Sequence, residues 1–417
     1  MNQTPKANRL HIGIFGRTNA GKSSLLNYVA GQEVAITSPV PGTTTDVVEK
    51  TMELLPLGPV VFLDTAGLDD VSVLAEQRLR KTRAVFQRSD VVLLVLEPET
   101  WGAPEEEVVS EAAAHKTPVI GVINKTDVMT PTPSFLSLVR DKTGKTVSLS
   151  CLNTEGRETA VAELKKHLIS VCPEEFLSPP PIVGDLLPAG GMVVLVVPID
   201  LQAPKGRLIL PQVQTLRDAL DHDAASLVVK EREYASSLQN LVRPPDLVVC
   251  DSQVVLKVTA DTPPSIRCTT FSTLFARAKG DLTEMARGAA VLNRLRPGDR
   301  ILVAEACSHH PLEDDIGRVK IPRWLTRHVG GEMTIDVCSG KDFPDNLRDY
   351  RLVVHCGGCM LTRREMLSRI QCCRQAGVPI TNYGVAISVM HGVADRVLAP
   401  FPSAREVFHH EQDKPRR

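Results

Sequence analysis

Long apolar runs are missing from this 417-residue sequence: none reaches the roughly 18 residues that a membrane span requires, so no transmembrane helix is expected. The first ten residues, MNQTPKANRL, also lack the apolar stretch of a secretory signal, and the expected compartment is the cytoplasm. An excess of either charge is absent too. Lys and Arg number 48 against 49 Asp and Glu, a net charge of -1, which leaves no basic field to hold nucleic acid non-specifically. Aromatic residues are scarce at 4%, which speaks further against a surface built to stack RNA bases. No fixed-period repeat is present.

The length, divided by about 150 residues per domain, suggests two or three domains, and three are expected. Residues 11–166 alternate short apolar strands (12–15, 60–63, 91–96, 119–123 and 147–149) with longer mixed segments, the pattern of a doubly wound α/β domain. The Pro-rich stretch SPPPIVGDLLPAGG at residues 178–191 reads as a linker and puts a boundary near residue 175. Beyond it, strands are expected at 192–199, 227–229 and 247–250, with a helix over 212–220. From about residue 271, strands at 300–304, 333–337 and 352–354 alternate with helical segments such as 362–375. The expected fold is α/β throughout: residues 1–175, then two smaller α/β domains over 176–270 and 271–417.

The first domain carries an ordered set of nucleotide motifs. Gly16-Arg-Thr-Asn-Ala-Gly21-Lys22-Ser23 follows an apolar strand and precedes a helical segment, the context that makes G-x4-G-K-S a phosphate-binding loop. Backbone N–H groups of this loop, through Asn19, Ala20, Gly21 and Ser24, surround the phosphates at a helix amino terminus. Lys22 is expected on the β- and γ-phosphates and the Ser23 hydroxyl on Mg²⁺. Pro41-Gly-Thr-Thr44-Thr-Asp46 is a polar loop from which Thr44 is expected to add a second Mg²⁺ oxygen. Asp64-Thr-Ala-Gly67 follows an apolar strand, placing Asp64 toward the metal through water and the Gly67 amide at the γ-phosphate. Asn124-Lys125-Thr-Asp127 ends another strand, and the Asp127 carboxylate can accept two hydrogen bonds from guanine that adenine cannot supply. Ser150-Cys151-Leu152 is the last and least specific motif, offering N–H to guanine O6. A P-loop GTPase domain using GTP/GDP and Mg²⁺ follows.

In this order the motifs resemble the TrmE and Era type of translation-factor-related GTPases, over roughly the first 170 residues. The residue after Gly67 is Leu68, where many GTPases carry a glutamine that orients the attacking water. The resemblance implies that a K⁺ ion serves at the phosphates instead, held partly by a P-loop asparagine, the place occupied by Asn19.

The third region holds Cys307-Ser-His309-His310 behind one apolar strand and His355-Cys356-Gly-Gly-Cys359 behind another. Carboxyl ends of strands are where ligand sites assemble in α/β sheets, so the two groups can converge. Ten cysteines in a reducing compartment make no disulfide framework. Three thiolates suit an iron–sulfur cluster with one exchangeable position; Cys₃His suits structural zinc, and C-x-x-C alone suits a redox pair. Cys372 and Cys373, vicinal in a helical stretch, point to different faces and read as core or surface cysteines.

A GTPase domain, a middle domain, then CSH and HCGGC together resemble the [FeFe]-hydrogenase maturation GTPase family (HydF), from about residue 11 to 400. The resemblance implies a [4Fe–4S] cluster on Cys307, Cys356 and Cys359, with His309 and His355 near it and the fourth iron position open to Glu313, Asp314 or a histidine. It implies a dimerising middle domain, and a scaffold that accepts a di-iron precursor from two radical-SAM maturases and delivers it to the apo-hydrogenase. Two other readings stand beside it: a ribosome- or RNA-assembly GTPase with a zinc domain, and a GTPase switched by a Cys356–Cys359 disulfide.

Overall fold

The computed structural model describes residues 9–31, 48–65, 85–173, 180–198, 208–306, 315–340, 343–344 and 346–414. The chain divides into two compact units, Met1–Pro179 and Pro180–Arg417.

In the first unit, strands β1 (Leu10–Gly16), β2 (Val48–Glu53), β3 (Pro59–Asp64), β4 (Val91–Leu96), β5 (Val119–Ile123) and β6 (Lys145–Ser148) form one sheet in the order β2-β3-β1-β4-β5-β6. Only β2 runs antiparallel; every other pairing is parallel. All seven residues of β1 are buried because cores lie on both faces of the sheet. One face carries Leu10, Ile12 and Ile14 with Leu25 and Leu26 of helix Lys22–Ala30; the other carries Phe15 stacked on Phe86 at 4.5 Å.

The second unit holds two four-stranded parallel sheets. Strands β7 (Met192–Val196), β8 (Ala225–Val229), β9 (Leu247–Cys250) and β10 (Arg267–Thr270) lie in the order β10-β9-β7-β8. Strands β11 (Arg300–Ala304), β12 (Thr334–Cys338), β13 (Leu352–His355) and β14 (Ile380–Asn382) lie in the order β12-β11-β13-β14. One apolar core, from Val183 to Phe408, runs through both sheets. The stretch expected as a linker is part of this packing where it is described. Val183 is fully buried, and the N–H groups of Ile182, Val183 and Gly184 converge on Asp218 Oδ2 at 3.0, 2.7 and 2.8 Å.

The parallel strands of all three sheets follow one winding: the first strand in the chain is flanked by the second on one side and the third on the other. That reversal opens a crevice at the strands' carboxyl ends, next to the first strand.

Candidate functional site

The first crevice lies where β1 ends in the phosphate-type loop. Gly21 adopts φ 95° and a Cβ there would stand 2.1 Å from Asn124 Nδ2, so glycine alone fits. Asn19 also takes a left-handed backbone at φ 63°, with its side chain exposed. Lys22 is buried and its ammonium donates to the carbonyls of Gly16 (3.1 Å) and Arg17 (2.9 Å), which holds it over the loop. At the end of β3, Asp64 accepts from the Ser23 hydroxyl at 3.2 Å, joining the two expected Mg²⁺ residues that lie in the described structure. Asp64 Oδ1 is buried and has no hydrogen-bond donor among the described residues. Burial raises the Asp64 pKa, and Lys22 and Ser23 oppose the rise. An orphaned carboxylate oxygen beside a serine hydroxyl, at a helix amino terminus, fits a hydrated Mg²⁺.

The base end is tied to the phosphate end through one side chain. Asn124 Nδ2 donates to Ala20 O at 3.0 Å, and its Oδ1 accepts from Cys151 N–H at 3.1 Å. Lys125 pairs with Glu97, and Asp127 is exposed at the rim. Cys151 stands close enough to feel the Asp127 charge: burial, then Asp127, push its thiol up to about 12, so it is a neutral packing group. The loop carrying Ser150 and Cys151 thus meets the Asn124–Asp127 segment. The sequence reading missed Arg17, whose guanidinium makes two 2.8 Å bonds to the buried carboxylate of Glu105 and braces the loop against helix Ala103–Ala114. Thr44, Gly67 and Leu68 lie outside the described residues.

The third sheet's crevice lies between β11 and β13. Cys356 N–H donates to Ala304 O at 2.8 Å, and Ala306 N–H donates to Cys356 Sγ at 3.1 Å. The segment leading into Cys307 therefore runs beside Cys356. Cys307, His309, Glu313 and Asp314 themselves lie outside the described residues. Among the described residues no group of three or more His, Cys, Asp or Glu is placed to hold a metal ion. Gly358, at φ 61°, turns the loop toward Cys359; a Cβ there would meet Met366 Cε at 2.5 Å.

His355 ends β13 fully buried, its Nδ1 2.8 Å from Cys356 O and its Nε2 2.8 Å from Arg369 Nη1. Burial, with the guanidinium beside it, brings its pKa down to about 3, so the ring is neutral. On the other side of the loop, the buried Lys279 donates to the carbonyls of Cys359 and Leu361, both at 3.1 Å. Burial lowers its pKa to about 8, against the upward pull of Cys359 and Glu365. Lys279 lies 80 residues before Cys359 in the chain, and no motif marks either it or Arg369. An N–H donor on a cysteine sulfur, with buried cations on either side of the loop, fits a thiolate-bound iron–sulfur cluster. Cys373 is buried and Cys372 half-buried on helix Arg363–Ala376.

Comparison with known proteins divides the chain in three. Residues 11–125 match the family described as 50S ribosome-binding GTPase. Residues 182–280 match the hydrogen maturase F dimerization domain, and residues 283–400 the hydrogen maturase F tetramerization domain. The tRNA modification GTPase MnmE of Nitrosomonas europaea is 37% identical over 158 residues, 38% of this chain and 34% of that protein. Its counterpart in Paraburkholderia xenovorans is 36% identical over 163 residues, 39% of this chain and 34% of that protein. The chain thus spans about a third of the length of these relatives. Among solved structures, Era of Aquifex aeolicus bound to GDP·AlF4⁻ is 21% identical, with a TM-score of 0.34, covering 53% of this chain and 92% of that one. No helix among the described residues is long and apolar enough to cross a membrane.

Proposed function

The chain belongs to the hydrogen maturase F family of GTPases, and from that membership we propose that it is a GTP-hydrolysing scaffold for an iron–sulfur cluster, delivering a di-iron cargo to apo-[FeFe]-hydrogenase. The observation that carries the cluster reading is the 3.1 Å bond from Ala306 N–H to Cys356 Sγ, which brings the approach to Cys307 against the HCGGC loop. Cys307, Cys356 and Cys359 hold the [4Fe–4S] cluster, which supplies an iron position open to exchange. His309 and His355 stand near it.

In the nucleotide domain, Lys22 neutralises phosphate charge and Ser23, Thr44 and Asp64 hold Mg²⁺, the last through water. The Gly67 amide senses the γ-phosphate, and Asp127 selects guanine. Asn19 helps hold a K⁺ ion that supplies the charge for which Leu68 offers no substitute. Residues 1–175 handle nucleotide, 176–270 associate with a second copy, and 271–417 carry the cluster. The partners are the radical-SAM maturases and the apo-hydrogenase, and the compartment is the cytoplasm.

The test is purification without oxygen, with iron, sulfide and zinc assayed on the wild type and on Cys307→Ser, Cys356→Ser and Cys359→Ser. The reading expects a brown wild-type protein, cluster loss in each variant and GTP turnover within a few-fold of normal. Stoichiometric zinc without iron, or a full cluster in the cysteine variants, would overturn it.

A further inference from the structure

Two buried cations flank the HCGGC loop, and one of them decides what the histidine of that motif can do. Arg369, on helix Arg363–Ala376, is buried; its Nη1 donates to His355 Nε2 at 2.8 Å and its Nη2 to Gly340 O at 2.7 Å, with the guanidinium 5.1 Å from the Phe343 ring centre. Among the described residues, no carboxylate lies within ion-pair distance of Arg369 or of Lys279, and Glu365 acts on both only from beyond that distance.

A guanidinium only donates, so the His355 Nε2 lone pair is spent on it and the ring proton sits on Nδ1. That proton donates to Cys356 O at 2.8 Å. Neither ring nitrogen is left to coordinate a metal. A buried charge that meets only neutral acceptors is poorly compensated, whereas an anionic neighbour stabilises it. A cluster held by three thiolates is such an anion, and each added electron makes it more so.

We propose that Arg369 locks His355 as a neutral donor to the Cys356 peptide, so that His355 positions a cluster thiolate and is not an iron ligand, while the guanidinium serves as counter-charge to the cluster. This rests on the cluster reading above. Arg369 and His355 are positioning residues.

The experiment uses the full chain, reconstituted anaerobically with ferrous iron and sulfide, as wild type, Arg369→Met, Arg369→Lys and His355→Gln. Iron and sulfide per chain are assayed, and the cluster is titrated with dithionite, one electron per cluster, under electron paramagnetic resonance. Arg369→Met is expected to keep its cluster and to lower the reduced-to-oxidised ratio at fixed potential by about tenfold, equivalent to about 59 mV for a one-electron couple. Arg369→Lys, which keeps the charge, recovers toward the wild-type potential. In pulsed measurements, His355→Gln shows the same nitrogen couplings to the reduced cluster as the wild type. If Arg369→Met loses its cluster, Arg369→Lys decides: a cluster at the wild-type potential supports the counter-charge, and loss in both overturns it. An unchanged potential in an intact Arg369→Met cluster, or a directly bound nitrogen that disappears in His355→Gln, also overturns the inference. A wild-type chain that takes up no iron and sulfide would bring down the cluster reading itself.

Discussion

The two sheets of the second unit share strand number, direction and order, yet their crevices are chemically unlike. In each, the residue just past the third strand donates its N–H to the last residue of the first: Asp251 to Val196 O at 3.2 Å, and Cys356 to Ala304 O at 2.8 Å. In the sheet of β7 to β10, the side chain at that place is Asp251, whose carboxylate accepts from Gln253 N–H at 2.9 Å and caps a helical turn. In the sheet of β11 to β14 it is Cys356, whose sulfur accepts from Ala306 N–H in the segment just past β11. The same backbone frame thus carries a helix-capping carboxylate in one sheet and a cysteine sulfur in the other. Topology supplies the crevice, and side chains decide its use.

The sharpest way to break this comparison is to remove one cysteine from each sheet. Cys356→Ala is expected to lower bound iron and sulfide more than about tenfold, since a lost thiolate is a lost metal bond. Cys250→Ala, at the end of β9, should leave both unchanged; an equal loss would mean that the two sheets act as one site. The first unit extends the comparison, because its parallel strands share the winding but serve a nucleotide. Asp127→Asn is expected to weaken GTP binding by about a hundredfold or more and to favour xanthosine nucleotide, read by equilibrium titration. Iron uptake by that variant should be normal. A third effect is smaller: turnover about tenfold faster in K⁺ than in Na⁺ at matched ionic strength, lost in Asn19→Ala. Equal rates in the two salts would remove the cation from the phosphate loop.

The smallest effect sharpens the frame itself. Thr362 caps the helix behind the HCGGC loop, accepting from Glu365 N–H at 3.1 Å while Glu365 accepts from Thr362 N–H at 2.8 Å. Thr362→Ala should cost about 1 kcal/mol. That corresponds to about 2–4 °C in the melting temperature of a unit this size, measured by calorimetry. GTP turnover should not change.

Most of the buried strands were legible because parallel strands covered on both faces read as unbroken apolar runs, as in VVLLVL of β4 and LVVC of β9. β2 was missed because VEKTME, paired at the sheet's edge, carries three charged residues. β10 and β14 were missed because RCTT and ITN are short and mostly polar, so neither an apolar run nor a period shows. The common winding left no trace as a repeat, since strand order is a property of pairing and not of residue identity. In the sites, motif residues were visible where chemistry constrains their spacing, as from Gly16 to Ser23. Arg369, Lys279 and Glu105 were not, because their roles depend on contacts made across many residues of chain.

Asn124 has a consequence for how the nucleotide is held. Its amide grips the phosphate loop through Ala20 and the base loop through Cys151, so ordering either loop narrows the freedom of the other. With a guanine nucleotide seated as proposed, the two halves of the ligand would become effectors of one another: guanosine would prepare the seat for the phosphates, and the phosphates for guanosine, by equal amounts. Guanosine and inorganic polyphosphate should therefore bind this domain cooperatively even when no bond joins them.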